Sequence, residues 1–432
     1  MKDNMNMRTY GEKVKQDTKQ RLKIMSGHIV VFVKWIFIAA IVGCAVGGFS
    51  TLFGHAMNYV TQFRQENGFI LYLLPLGGIF IVALYRLCNF ENDKGTNTVI
   101  SNLHARDDIP LRQAPLIFIS TVVTHLCGGS AGREGAALQM GGSLGNGIGK
   151  LLRLDENDKR MTVMCGMSAA FSALFGTPMA AAIFSIEVGS VGIMYYSALV
   201  PCVFAAVIAS QFAVNMGIRP ESFHIELVPE MNVENTLKII LLCVICAFVS
   251  CVFCIVLHEA GKLLRGLFKN GYIRIVAASL VIIGAAKLLG TTDYMGAGIN
   301  VIERAMEGDA VPYAFILKII LTAITLGAGF KGGEIVPSFF IGATLGCTLG
   351  NLLGISPSFC AALGMTAIFC GATNCPIASL LISFELFGYK GVLFFMMAVA
   401  ISFMMSGYYG LYAEQRIMYS KTKTQYINKT TH

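Results

Sequence analysis

Two carboxylates stand at closely matched places in an apolar chain. Glu134 lies in Gly132-Arg133-Glu134-Gly135, at the start of a Gly-rich helix pattern, and Glu334 lies in Gly333-Glu334-Ile335-Val336-Pro337. A carboxylate in a bilayer core costs about 2.5–3.5 kcal/mol on insertion scales, so its presence there marks a functional site. At a helix N-terminus it competes with any bound anion for the same backbone N–H donors. Once protonated it can swing away, so one group serves as gate and proton carrier. Glu334 is placed to relay protons or line an anion path. The plainer readings are that Glu134 satisfies N-terminal donors beside a snorkelling Arg133, and that Glu334 is peripheral and structural.

The remaining candidates are weaker or argue against other chemistries. Thr96 and Asn97, in Gly95-Thr96-Asn97-Thr98, offer hydroxyl and amide donors for an anion, or Thr96 is an ordinary helix cap. The backbone groups of Gly132, Arg133, Gly135 and Ala136, with those of Ile335 and Val336, are further donors. Cys243-x-x-Cys246 and Cys251-x-x-Cys254 have zinc-like spacing but sit in apolar sequence, which makes them small packing residues. Gly145-x-Gly147-x-Gly149-Lys150 lacks the first Gly and the Ser/Thr of a phosphate-binding loop. No Ser/His/Asp set and no metal-ligand set appears, so neither an enzyme nor a cofactor is expected. Glu187 and Glu385 close helices, facing solvent or capping neighbours; His125 reads as structural, and Arg106-Asp107-Asp108 as a solvated loop.

What must position these residues is a membrane-embedded helical frame. Of 432 residues, 55% are hydrophobic and 13% charged, against about 25% charged in soluble domains. Apolar runs at His28–Val60, Ile70–Leu87, Ile193–Val214, Leu237–Leu257, Ile273–Leu289, Ala314–Ala328 and Gly391–Tyr412 approach or exceed the ~20 residues that cross a bilayer. The run after Met25 is too long for a secretory signal and reads as the first span. The net charge of +8 concentrates in Met1–Gly27 and in the tail from Ala413, which places both ends in the cytoplasm. A nucleic-acid partner is set aside because these basic residues abut spans. The thirteen cysteines sit mostly in apolar runs and are expected as free thiols.

The chain also repeats itself. The segment from Gly166 through Pro178 to Glu187 recurs from Gly364 through Pro376 to Glu385 at an offset of 198. Upstream, Gly132-Arg133-Glu134-Gly135 before Gly142-x-Leu144-Gly145 matches Gly332-Gly333-Glu334-Ile335 before Gly342-x-x-Leu345-Gly346, at 200 or 201. In that alignment Glu334 is the counterpart of Glu134. The expected organisation is a basic segment over 1–27, a first repeat over 28–220, a second over 235–412 and a short basic tail over 413–432. With both ends on one side and an odd number of crossings per half, the repeats are inverted. The matched pieces are those broken by Gly128–Gly132 and Gly327–Gly329, with Pro178, Pro337 and Pro376 starting new helices. Helices that begin inside the membrane aim positive dipole ends at an anion, each contributing about 0.3–1 kcal/mol and up to ~2 when partly buried. A strongly hydrated anion needs several such donors in place of its water.

These motifs resemble the CLC family of anion channels and anion/proton exchangers, from about His28 to Tyr412. Gly129-Ser130-Ala131-Gly132-Arg133-Glu134-Gly135 and the Gly-Thr-Pro-x-Ala-Ala-x-x-Phe-x-Ile-Glu run carry the likeness. It implies an all-α polytopic membrane protein of two inverted repeats with broken helices, a homodimer in the cell membrane, Glu134 as gate and Tyr412 lining the central anion site. The departures resemble the fluoride-exporting branch. Gly95-Thr96-Asn97-Thr98 replaces Gly-Ser-Gly-Ile-Pro, Ala136 replaces a Pro, and the second-half Gly-x-Phe-x-Pro has become Gly333-Glu334-Ile335-Val336-Pro337. Val188 stands where chloride exchangers place a relay glutamate. Fluoride export in exchange for protons is therefore expected, with chloride/proton antiport or a chloride channel as the alternatives.

Overall fold

The computed structural model describes residues 2–91, 93–105 and 108–431, with side chains described outside 2–15, 17 and 105. Arg106 and Asp107 of the expected solvated loop, and the side chains of Lys2, Arg8, Lys13 and Lys15, lie outside what is described. Asp108 is exposed and pairs with Lys150 at 2.5 Å.

Among the described residues two series of eight α-helices follow one another. The first is α1 (Lys2–Glu66), α2 (Leu74–Leu87), α3 (Thr96–Ala105), α4 (Gln113–Leu126), α5 (Glu134–Leu151), α6 (Glu156–Phe175), α7 (Pro178–Glu187) and α8 (Leu199–Asn215). The second is α9 (Val233–Leu267), α10 (Gly271–Leu289), α11 (Ile299–Met306), α12 (Ala314–Ala328), α13 (Ile335–Leu353), α14 (Pro357–Thr373), α15 (Pro376–Phe387) and α16 (Val392–Met405). Packing repeats with the order: α5 on α6 as α13 on α14, α1 on α8 as α9 on α16, α4 on α5 as α12 on α13. Three helices meet their own counterparts, α2 with α10, α5 with α13 and α7 with α15. Among the described residues six helices are long and apolar enough to cross a membrane, and six further apolar helices are shorter.

The repeats are inverted, and side chains prove it. Glu187, closing α7, accepts the N–H groups of Ile377 (3.1 Å) and Ala378 (2.8 Å) at the start of α15. Glu385, in the last turn of α15, accepts those of Met179 (2.8 Å) and Ala180 (2.9 Å) at the start of α7. Each carboxylate thus supplies the cap that the Pro-initiated N-terminus of the other helix lacks. Only antiparallel neighbours can do this.

The core lies around α6 and α14, buried along Thr162–Phe175 and Ser358–Thr373. Glycines let these two helices approach α5 and α13. A Cβ on Gly141 would meet the carbonyl of Gly166, one on Gly166 that of Gly141, and Gly342 and Gly364 repeat the arrangement. Phe171, Phe175, Phe184, Phe339 and Phe369 close a ring of aromatic contacts between the repeats, with centroids 5.1–6.0 Å apart. All thirteen cysteines are free, and Cys243, Cys246 and Cys254 are buried in α9.

Three expectations need correction. The helix starts set the offset between α5 and α13 at 201, so the counterpart of Glu134 is Ile335, and Glu334 corresponds to Arg133, each the residue before its helix. Short gaps made 200 and 201 indistinguishable in sequence. The last apolar run is not one span, because α16 stops at Met405 and Ser406–Tyr412 continues without helix past Gly407 in a left-handed turn (φ +57°). The basic tail is folded: β2 (Arg416–Tyr419) pairs in parallel with β1 (Ser190–Val191) and antiparallel with β3 (Tyr426–Thr430). Asn374, the left-handed cap of α14 (φ +58°), anchors this end through Tyr409 O and Gln415 Oε1, both at 3.0 Å.

Candidate functional site

The loops ahead of α5 and α13 meet head to head at the centre of the molecule. The Gly132 N–H donates to the Gly333 carbonyl and the Gly333 N–H to that of Gly132, both at 2.7 Å. No side chain fits between them, since a Cβ on Gly135 would stand 2.8 Å from the Cα of Gly333 and from Oε2 of Glu334. The helix breaks come from glycines in positive-φ backbone, Gly128 after α4 (φ +90°) and Gly329 after α12 (φ +114°). The first N–H groups of two helices therefore converge, and Gly132, Gly135, Ala136, Ile335 and Val336 are all part of this junction and buried.

Glu134 is fully buried at the first turn of α5. Its Oε2 accepts the Arg133 N–H at 3.1 Å and its Oε1 the Arg133 Nε at 3.2 Å. The carboxylate thus occupies one backbone donor at the start of its own helix, together with the Arg133 side chain. Arg133 does not snorkel: it also donates to Asn58 Oδ1 at 3.2 Å and Glu221 Oε1 at 2.8 Å. Glu334 lies half-buried against the first turn of α5, and its enclosed Oε2 has no hydrogen-bond partner among the described residues. Tyr412 is wholly buried, its hydroxyl is likewise unpartnered, and Glu334 is among the charged groups around it. Buried polar groups are almost always paired. A hydroxyl donor and a carboxyl oxygen left open in the same interior suit a species that passes through.

Thr96 opens α3, buried, and its hydroxyl accepts Gln139 Nε2 at 3.3 Å, leaving its own proton to donate elsewhere. Gln139 Oε1 is also unpartnered. Asn97 is placed differently, with its side-chain oxygen taken by the Glu414 N–H at 3.1 Å, so it tethers the C-terminal segment. Sequence reasoning missed the pair that holds these loops together. Lys331 Nζ lies 2.8 Å from Asp93 Oδ2 and 4.3 Å from the Tyr85 ring, while Asp93 Oδ1 accepts the Gly95 N–H at 3.0 Å. The charges of Asp93 and Lys331 were visible, but nothing local links positions so far apart. Among the described residues no group of His, Cys, Asp and Glu could hold a metal ion.

Residues 76–407 match the family model described as voltage gated chloride channel. A chloride/fluoride channel protein of Pseudomonas syringae pv. tomato is 35% identical over 395 residues, covering 90% of this chain and 87% of that protein. An H(+)/Cl(-) exchange transporter of Vibrio campbellii is 25% identical over 388 residues, covering 81% of each. The crystal structure of a CLC-type fluoride/proton antiporter superposes with a TM-score of 0.86 at 31% identity, covering 89% of this chain and 98% of that one.

Proposed function

This chain belongs to the voltage-gated chloride channel (CLC) family of membrane proteins, and from that premise we propose that it exports fluoride in exchange for inward-moving protons. The observation that carries the reading is the meeting of two carboxyl side chains, the buried Glu134 and the half-buried Glu334, at the joined N-termini of α5 and α13. Glu134 is the gate. Deprotonated, it holds the N-terminal donors and shuts the path; protonated, it yields them to an anion and carries a proton inward. Glu334 is the second proton-bearing group, on the side of Tyr412. It takes the place of a relay at Val188, whose carbonyl is occupied by Gln415 Nε2 at 2.9 Å.

Fluoride is held without a fixed cation that would trap it. Its donors are the backbone N–H groups of Arg133, Gly135, Ala136, Ile335 and Val336, with the hydroxyls of Thr96 and Tyr412, while the Gly132 N–H expected among them is taken by the Gly333 carbonyl. Two helix N-termini at up to ~2 kcal/mol each offset only part of the dehydration, so the hydroxyls are needed. Asn97 acts through the tether to Glu414 rather than on the anion. The likeness to the Pseudomonas chloride/fluoride channel protein and to the CLC-type fluoride/proton antiporter supports fluoride as the ion. Chloride/proton exchange is the second reading, favoured by the Thr96 hydroxyl and by the Vibrio relative. A homodimer belongs to this proposal through the family resemblance. Both termini face the cytoplasm in it, in keeping with exposed Lys19, Arg21 and Lys23 at the start of the first span.

The test is efflux from proteoliposomes loaded with fluoride or chloride in parallel, with external pH recorded. Fluoride efflux with proton uptake and little chloride movement is expected; comparable chloride efflux refutes the fluoride assignment. Glu134→Gln should abolish proton uptake while some anion flux persists, and Glu334→Gln should slow protons more than anions. Proton uptake at the normal rate in Glu134→Gln would sink the gate.

A further inference from the structure

A cavity of about 550 Å³ opens beside the gate, lined among others by Asn58, Arg64, His125, Arg133, Glu221 and Glu303. Two of its polar groups are unexplained by the transport path. Arg64, in the last turn of α1, encloses its Nη1 without a hydrogen-bond partner. His125, in the last turn of α4 and 1% exposed, donates from Nδ1 to the Thr121 carbonyl at 3.0 Å, which leaves Nε2 as an unpartnered acceptor.

The charge around these groups is positive on the inner side. Arg64, Lys318 and Arg133 are the charged residues about His125. Lys318 is fully buried in α12, where Nζ meets only the carbonyls of Tyr294 (3.3 Å) and Gly296 (2.7 Å) and the face of Phe340. The cavity's acids are largely spoken for, Glu221 by Arg133 at 2.8 Å and Asp293 by Arg304 at 2.5 Å. Glu303 stands exposed at the mouth and opposes anions from there. No carboxylate pairs with Arg64 among the described residues. An enclosed guanidinium N–H without a partner costs free energy that an anion would recover.

We propose that this cavity is an anion-holding site on the outer side of the gate, in which Arg64 Nη1 holds a small inorganic anion that keeps part of its hydration and has left the gate or is about to enter it. His125 Nε2 accepts from a water of that shell and orients it. Arg133 joins the two stations, since it lines the cavity and binds the Glu134 carboxylate. An anion at Arg64 thus waits one residue contact away from the donors that Glu134 vacates. The site rests on the reading of the chain as an anion transporter, and not on the choice of fluoride over chloride.

The experiment has two arms. Crystals of the unmodified protein soaked in bromide should show an anomalous peak within hydrogen-bonding reach of Arg64 Nη1. In proteoliposomes, Arg64→Gln should raise the half-saturating concentration of anion supplied at the outer face about tenfold, the loss of one charge-assisted hydrogen bond. Arg64→Lys, which keeps charge without the fork, should fall between. Absence of the peak overturns the site. A peak with an unchanged half-saturating concentration marks an adventitious ion only, and overturns it too. If no anion moves in the unmodified protein, the transport reading fails, and bromide at Arg64 then reports on the site alone.

Discussion

Asp93 and Lys331 fasten the loop that delivers Thr96 to the loop that delivers Glu334, and breaking them should displace both. The Asp93 side chain is inaccessible and that of Lys331 is 19% exposed, so the 2.8 Å pair is largely out of water. Removing one partner of a buried pair costs about 3–5 kcal/mol, because the other charge is left uncompensated. The lower end applies here, since Lys331 retains some solvent. The Tyr85 ring at 4.3 Å adds roughly 0.5–2 kcal/mol that only Lys331 variants lose. Asp93→Asn should therefore cost about 3 kcal/mol, Lys331→Met slightly more, and the double variant well under their sum, with a coupling of ~2 kcal/mol. Trp35, the only tryptophan and buried in α1, reports unfolding by fluorescence in mixed micelles. Fluoride flux in proteoliposomes should fall in the same order as stability. Single variants within about 1 kcal/mol of the parent, or strictly additive ones, would show that solvent screens the pair and that it positions nothing.

The reciprocal caps give an internally controlled comparison. Glu187→Ala strips two charged hydrogen bonds from a side chain only 5% exposed and should cost about 3 kcal/mol, read by the same Trp35 unfolding. Glu385→Ala removes the same pair at a more exposed end, where water replaces the carboxylate, and should cost roughly half as much; equal losses would argue against the burial argument. Gly333→Ala drives a Cβ into the backbone of Gly135, an overpacking of about 1–3 kcal/mol at the junction, and should abolish anion flux in protein that still elutes as a folded species. Wild-type flux in that variant would mean the two loops can part without consequence.

What the sequence determined by itself is what local pattern encodes. Apolar runs far longer than a soluble core needs placed the chain in a membrane, and Gly and Pro at matched offsets marked where helices break. Glu134 was legible because a carboxylate in such a run is costly enough to demand a reason. The tertiary structure alone decided the register of the halves. Glu334 is the repeat counterpart of Arg133 and not of Glu134, because helix starts fix a correspondence that small gaps blur. It also decided that Asn97 ties down the C-terminal segment, that the basic tail pairs its strand with Ser190–Val191, and that Lys331 finds Asp93. Arg64 and His125 were invisible as a pair for the same reason. Contacts between residues tens or hundreds of positions apart depend on how helices pack, and packing is set by the sum of many weak side-chain fits that no short window contains.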